Sequence, residues 1–270
     1  MCQLVDEHNL NCRPRPRPVP GDRGGYQTLT DFKIVLKPPA IPRSLSVQSI
    51  QSDMQRRKGK IDQAVMASMA LLDAMMGPQD RCTVVGFNDN YSMFCDLANE
   101  DTAKVCLAVM TQCCQSSTYL YDATILSVVH FISQADSSRP WVLLIITDGN
   151  DSGSGKSLQE AAAVLQRYNA AQNNFAFIVG IGSDVNKTAM ENLARSGGGV
   201  YIPVEDAAIL FLIFAAIAVQ IEEGVQVDIA SVRQEGVEAV LARVQRTRTV
   251  SKKAIDMLIL MDISGSMTSR

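Results

Sequence analysis

Hydrophobic and polar positions follow two patterns along this chain, one with helical spacing and one of short apolar runs. From Ile61 to Met76 the apolar residues recur every three or four positions, and Gly77 with Pro78 marks the end of that helix. The same kind of spacing predicts further helices at about 102–113, 121–135, 157–172, 187–195 and 206–222. Apolar runs predict strands at 82–87, 91–95, 141–147, 175–180, 200–202 and 254–262.

Strands that alternate with helices predict an α/β fold of the doubly wound kind, with a mostly parallel central sheet flanked by helices on both faces. The run from Trp141 to Thr147 is continuously apolar, which is typical of a strand buried on both faces. The other strong candidate for a central strand lies at 254–262, whereas residues 31–58 contain no comparable run. We therefore expect the C-terminal segment to supply the central strand of the sheet.

Composition and charge exclude several classes of function. The chain has 270 residues, with 25 basic and 28 acidic side chains, and this balance argues against a surface dedicated to nucleic acid. The longest apolar run, from Ala207 to Val219, is shorter than the roughly 20 residues that cross a bilayer, so we predict a buried helix and no membrane span. Seven cysteines without a CxxC pair and an N-terminus without an apolar signal core favour a cytoplasmic location.

The most informative polar residues follow the apolar run at 254–262. Asp262, Ser264 and Ser266 bring one carboxylate and two hydroxyl groups to the end of that predicted strand, and Asp148 follows the strand at 141–147. Ligands of doubly wound sheets bind beyond the carboxyl ends of the strands, at the point where the winding reverses. Because these are hard oxygen ligands with little total charge, they indicate a Mg²⁺ site that leaves a coordination position open.

Three segments together resemble the von Willebrand factor A family and its metal-ion-dependent adhesion site. They are DISGSM at 262–267, SSTYLYDA at 116–123 and TDGND at 147–151, and FNDN at 87–90 and SGGGVY at 196–201 are also similar to family features. The resemblance implies a Rossmann-like α/β fold that binds a partner protein through an Asp or Glu of that partner. It also implies Mg²⁺ as the cofactor, with Mn²⁺ or Ca²⁺ as alternatives.

The resemblance assigns a role to each predicted metal ligand. Asp262, Ser264 and Ser266 would form the first loop, with the two hydroxyl groups as direct ligands. Thr118 would enter the coordination shell when a partner is engaged, and Asp148 would hold metal-bound water. A carboxylate of the partner would take the remaining position.

In this chain the DISGSM loop follows the rest of the domain, and two explanations stay open. Either the fold is circularly permuted, or the sequence is a slice of a tandem array whose last strand pairs elsewhere, for example in a strand-exchanged homo-oligomer. SIQSDM at 49–54 aligns with DISGSM, with Ser49 in place of the aspartate. The predicted segments are a flexible Pro/Arg-rich tail (1–30), a linker or degenerate copy (31–57), the domain body (58–222), a connecting segment (223–253) and the central strand with its metal loop (254–270).

Two other functions compete with a metal-dependent binding module. The glycine-rich loop at 149–157 suggests nucleotide binding, but Asn150 stands where a Walker A loop needs its first glycine. The second rival is a scaffold with a vestigial metal site. We expect no enzyme activity, because His130 is predicted to be buried on a helix and His8 lies in the tail, which leaves no Ser, His and Asp set. Asp151 could serve as a general base beside a metal, but a role in solvating its loop is the favoured interpretation.

Overall fold

Six strands of the described chain form one sheet with a single antiparallel pair. The computed structural model describes residues 59–114, 117–170, 174–183, 185–224, 229–251 and 254–268. In chain order the strands are β1 (Arg81–Phe87), β2 (Tyr91–Ala98), β3 (Trp141–Thr147), β4 (Asn174–Ile181), β5 (Val200–Val204) and β6 (Asp256–Asp262). Their order across the sheet is β2-β1-β6-β3-β4-β5, and only β1 and β2 run antiparallel.

Eight α-helices in the described residues cover both faces of the sheet. They are α1 (Lys60–Met75), α2 (Glu100–Met110), α3 (Leu120–Gln134), α4 (Leu158–Asn169), α5 (Lys187–Ser196), α6 (Leu210–Glu223), α7 (Ile229–Glu235) and α8 (Val237–Ser251). Helices α1, α2, α6, α7 and α8 pack on one face, and α3, α4 and α5 pack on the other. This arrangement confirms the predicted doubly wound α/β class.

The central strand β6 comes from the C-terminal segment, as the sequence predicted. Met257, Ile259 and Met261 face the core under α1, whereas Leu258 and Leu260 face the opposite core. Successive side chains of a strand point to opposite faces, so a strand between two layers of helices must be apolar throughout. All seven residues of β6 are buried, and the strand pairs with β1 on one side and β3 on the other.

Two buried carboxylates fix the amino end of β6. Asp256, which is fully buried, accepts hydrogen bonds from Arg81 Nε at 2.9 Å and Arg81 Nη2 at 2.6 Å. Asp80 accepts from the backbone N–H of Ile255 at 2.6 Å and from Arg248 Nη2 at 2.8 Å. Each carboxylate is therefore paired with a guanidinium group, the arrangement that compensates best for loss of water.

The segment predicted only as a connection, residues 223–253, contains α7 and α8. Helix α8 packs against α1 and α6, and its Val240 and Val244 lie in the core. Val237, Val240, Leu241 and Val244 stand at helical spacing, but polar residues follow from Gln245 to Thr249, so the periodic pattern is short.

Most other elements agree with the predictions to within a few residues. Ser157 caps α4 and Glu160 completes the predicted capping box, while the apolar run from Ala207 forms a 3₁₀ turn (Ala207–Ile209) and most of α6.

None of the described helices is long and apolar enough to cross a membrane. The predicted tail and the predicted linker, 1–30 and 31–57, lie outside the described residues.

Candidate metal centre

Three loops meet at the carboxyl edge of the sheet, where the winding reverses between β6 and β3. The loop after β6 carries Ser264 and Ser266, the loop after β3 begins with Asp148, and the segment before α3 carries Thr118. Parallel neighbouring strands end at the same edge, so residues distant in sequence come together there. All five residues predicted as metal ligands lie in these loops or, in the case of Asp262, at the end of β6.

Asp262 is held in a fixed orientation by two hydrogen bonds. Its Oδ1 accepts from the backbone N–H of Ser264 at 2.8 Å, and its Oδ2 accepts from Thr147 Oγ1 at 2.6 Å. The residue is fully buried, and burial raises the pKa of the Asp262 carboxyl group to about 6. The hydrogen bonds from Thr147 and Ser264 act in the opposite direction but do not offset the loss of water.

A chain of hydroxyl groups connects this loop to Asp148. The Oγ atoms of Ser264 and Ser266 lie 2.9 Å apart, and Ser266 Oγ donates to Asp148 Oδ1 at 2.7 Å. Ser264 and Asp148 are buried, whereas Ser266 is exposed. The three oxygens therefore form a short row that opens to solvent through Ser266.

Thr118 lies on the other side of Asp148, against Gly149. A Cβ atom at Gly149 would lie 3.1 Å from Thr118 Oγ1, so the glycine allows the hydroxyl group to approach the backbone closely. Ser152 fixes the position of Thr118, since its backbone N–H donates to the Thr118 carbonyl at 2.8 Å. The next residue, Tyr119, donates its backbone N–H to the carbonyl of Asn88 at 2.9 Å.

Sequence reasoning missed two residues of this site, Thr147 and Lys60. Thr147 orients Asp262 through its hydroxyl group, and Lys60 Nζ lies 2.8 Å from Asp148 Oδ2. Thr147 is the last residue of a predicted strand next to Asp148, and this position could have suggested a role. Nothing in the sequence connects Lys60 with Asp148, because the pairing depends on where α1 begins relative to the sheet edge.

The oxygen set fits a small divalent cation. Neighbouring ligands of an Mg²⁺ octahedron with Mg–O distances of about 2.0–2.1 Å are about 2.9 Å apart. The Ser264–Ser266 and Ser266–Asp148 separations of 2.9 and 2.7 Å are close to that value. No group of three or more His, Cys, Asp or Glu side chains in the described residues could hold a metal ion. The candidate set has only two carboxylates and depends on hydroxyl groups for the rest.

A family model for the von Willebrand factor type A domain matches residues 48–214, more than half of the chain. The chain belongs to the von Willebrand factor type A domain family. The matched region contains Thr118 and Asp148 but ends before β6, so the DISGSM loop lies outside it.

Two solved structures are similar to this von Willebrand factor type A chain. One is a von Willebrand factor type A protein from Catenulispora acidiphila, with 16% identity, a TM-score of 0.44, and coverage of 73% of this chain and 40% of that one. The other is the conserved hypothetical protein BatB from Bacteroides thetaiotaomicron, with 17% identity, a TM-score of 0.46, and coverage of 58% and 86%. The chain thus spans about two fifths of the Catenulispora acidiphila protein. No curated protein gives a significant match.

The glycine-rich loop of this von Willebrand factor type A domain already binds a carboxylate of the chain itself. Asp122 accepts hydrogen bonds from the backbone N–H groups of Gly155 at 3.0 Å and Lys156 at 2.9 Å. A phosphate would need these same donors. Lys156 Nζ pairs with Glu160 at 3.0 Å, and this arrangement disfavours the nucleotide-binding alternative.

Two residues considered for catalysis have other partners in this domain. Asp151 accepts from the backbone N–H of Tyr121 and from Ser154, which is the loop role expected for it. The prediction that His130 is buried was wrong. It is partly exposed and its Nε2 lies 2.8 Å from Asp96 Oδ2, because it falls at the edge of the apolar face of α3.

Proposed function

We propose that this von Willebrand factor type A chain is a metal-dependent protein-binding module. A divalent cation, Mg²⁺ or alternatively Mn²⁺ or Ca²⁺, would be held by Asp262, Ser264, Ser266 and Asp148, and Thr118 would join this metal site when a partner is engaged. The observation that carries the proposal is the hydrogen-bonded row from Ser264 through Ser266 to Asp148, beside a buried Asp262 with a raised pKa. The family itself is typical of protein interaction and adhesion.

The charges of the site indicate the kind of partner that it would bind. The two serine ligands are neutral and Asp148 would act through metal-bound water, so the bound cation would be only partly neutralised and would attract a further anionic oxygen. Ser266 and Gly265 are exposed, which leaves that side of the site accessible. An Asp or Glu side chain of a partner protein supplies such an oxygen. We propose no enzyme activity.

We also propose that β6 is native to this sheet and that the domain is circularly permuted. Both neighbours pair with β6 in continuous parallel register, and Arg81 and Asp80 fix its amino end. Light scattering tests this: a monomer at micromolar concentration is expected, whereas a stable dimer would favour strand exchange between chains.

A reducing compartment such as the cytoplasm is the proposed location. The five cysteines of the described residues are free, and all five lie in the hydrophobic core under α1 or pack against it. Fusion of the chain to a redox-sensitive fluorescent reporter would test this, and an oxidised reporter would contradict it.

A peptide-display selection tests the binding function. The full chain is immobilised, a random peptide library is applied with Mg²⁺, and bound peptides are eluted with EDTA. We expect the eluted peptides to share an Asp or Glu whose replacement by Asn or Gln abolishes binding. The Asp262→Asn chain, selected in parallel, should yield none of them. Peptides that bind equally in EDTA, or to Asp262→Asn, would instead support a scaffold with a vestigial metal site.

A further inference from the structure

Lys60 contacts the candidate metal site from the beginning of α1. Its Nζ lies 2.8 Å from Asp148 Oδ2, while Asp148 Oδ1 accepts from Ser266. The Asp148 side chain is fully buried, and the Lys60 side chain is 22% exposed. A buried carboxylate without a cation nearby is costly, so the ammonium group stabilises Asp148 in the metal-free chain.

The position of Lys60 is set by close packing between α1 and the metal loop. A Cβ atom at Gly59 would lie 3.3 Å from the carbonyl oxygen of Thr268, so the chain before α1 touches the turn that follows Ser266. Gly59 also donates its backbone N–H to Asp62 Oδ2 at 3.2 Å, which fixes the first turn of the helix. The Lys60 ammonium group is therefore held against the metal loop by the fold.

A cleft beside Lys60 offers the ammonium group a second position. The cleft has a volume of about 670 Å³ and is lined by Lys60, Asp148, Gly182, Lys187 and Glu205, among others. Its wall at Gly182 lies close to the ammonium group, since a Cβ atom there would be 3.6 Å from Lys60 Nζ. The flexible side chain can thus leave Asp148 without disturbing the packed core.

We infer that Lys60 determines the cation affinity of this site by competing with the metal for Asp148. This inference rests on the proposed metal-binding function. In the metal-free chain the ammonium group neutralises Asp148, and a divalent cation binds only when that group moves into the cleft. Two positive centres within about 5 Å repel each other, so Lys60 weakens metal binding even after it has moved.

The test is a calorimetric titration of the full chain with Mn²⁺ after treatment with EDTA. Lys60→Met removes the charge and keeps the aliphatic length, so we expect Mn²⁺ to bind about tenfold more tightly than to the unchanged protein. Lys60→Arg keeps the charge and should stay within about threefold. Lys187→Met removes another cation of the same cleft that does not contact Asp148 among the described side chains, and it should also stay within about threefold.

Thermal unfolding gives a second readout, in which the variant that binds Mn²⁺ more tightly should be less stable without metal. In EDTA, Lys60→Met leaves Asp148 without its cation and should lower Tm by about 5 °C, and saturating Mn²⁺ should reverse this loss. If Lys60→Met does not fold, Lys60→Gln takes its place in both measurements. Equal or weaker Mn²⁺ binding by the uncharged variant would overturn the inference alone. Failure of every variant and of the unchanged chain to bind Mn²⁺ would overturn the proposed function as well.

Discussion

The two ends of β6 both bury carboxylates, but they compensate for the buried charge in different ways. At the amino end, Asp256 is paired with Arg81 through two hydrogen bonds, and Asp80 is paired with Arg248. At the carboxyl end, Asp262 is held by Thr147 and a backbone N–H, both of them neutral donors. The amino end is electrostatically complete within the chain, whereas Asp262 at the carboxyl end has no basic side chain beside it among the described residues.

On the proposed metal-binding function, the buried charges at the amino end serve the fold and the charge of Asp262 serves binding. A guanidinium group compensates a buried carboxylate permanently, so that pair has no use for an external ion. Neutral donors orient a carboxylate without balancing its charge, and burial then raises the pKa of Asp262 to about 6. Substitutions at the two ends should therefore change stability in opposite directions.

The largest effect is expected at the amino end. Asp256→Asn leaves the Arg81 guanidinium group opposite a neutral amide, so the free energy of unfolding should fall by about 3 kcal/mol. Urea unfolding in EDTA measures this loss. Lys156→Met, which removes only the exposed pair with Glu160, is the control and should change the free energy of unfolding far less. An equally small loss for Asp256→Asn would remove the contrast between the two ends.

At the carboxyl end, the matching substitution should stabilise the metal-free chain. Asp262→Asn removes a buried charge that no described basic side chain pairs with, so the free energy of unfolding in EDTA should rise by about 1–3 kcal/mol at pH 7. The same urea experiment measures it. A loss similar to that of Asp256→Asn would mean that the carboxylate of Asp262 serves the fold and not a metal.

The pH dependence follows from the raised pKa of Asp262. The Asp262 carboxyl group binds a proton more tightly in the folded metal-free chain than in the unfolded chain. Protonation of Asp262 therefore stabilises the fold fully below about pH 4, and this stabilisation is lost as the pH rises through about 6. Metal binding needs the deprotonated form, and the Mg²⁺ dissociation constant should be about tenfold higher at pH 5 than at pH 7. Calorimetry at the two pH values measures the ratio.

Ser266→Ala is the control for this titration, since it removes a hydroxyl ligand but keeps Asp262. It should bind Mg²⁺ more weakly at both pH values while showing the same ratio between them. An affinity that does not change with pH would show that Asp262 is not the group that exchanges its proton for the metal.

The smallest effect on the metal itself is expected at Thr118. Its hydroxyl group contacts Gly149 and is outside the row that joins Ser266 to Asp148, so Thr118→Ala should change Mg²⁺ affinity by less than about twofold. The same variant should lose most of its binding to the selected acidic peptides. A large loss of Mg²⁺ affinity in Thr118→Ala would contradict this prediction. It would mean that Thr118 is a metal ligand even when no partner is bound.

The sequence predicted the sheet well because its central strands are buried on both faces. Residues 141–146 and 257–261 are unbroken apolar runs. A run of this kind between helices is typical of a strand covered on both faces of a sheet. Helix α8 was missed although Val237, Val240, Leu241 and Val244 stand at helical spacing. That pattern spans only eight residues before polar residues follow, which is too short for its period to distinguish a helix from a connecting segment.

The predicted ligands were found from local motifs, but their partners could not be. The motifs placed Asp262 and Asp148 at strand ends, which a sheet of this class brings together. The hydrogen bond from Thr147 to Asp262 and the ion pair of Lys60 with Asp148 join segments 115 and 88 residues apart. Such pairs depend on side-chain positions in the folded chain, and the sequence hints at one of them only through the position of Thr147 at a strand end beside Asp148.

Calorimetric titration of Mg²⁺ into the full chain at pH 7, beside the Asp262→Asn variant, shows whether Asp262 binds a metal ion. We predict that the unchanged chain binds one Mg²⁺ ion and that the variant, which remains folded, binds at least about 100-fold more weakly. Equal Mg²⁺ binding by the two proteins, or none by either, would contradict the account.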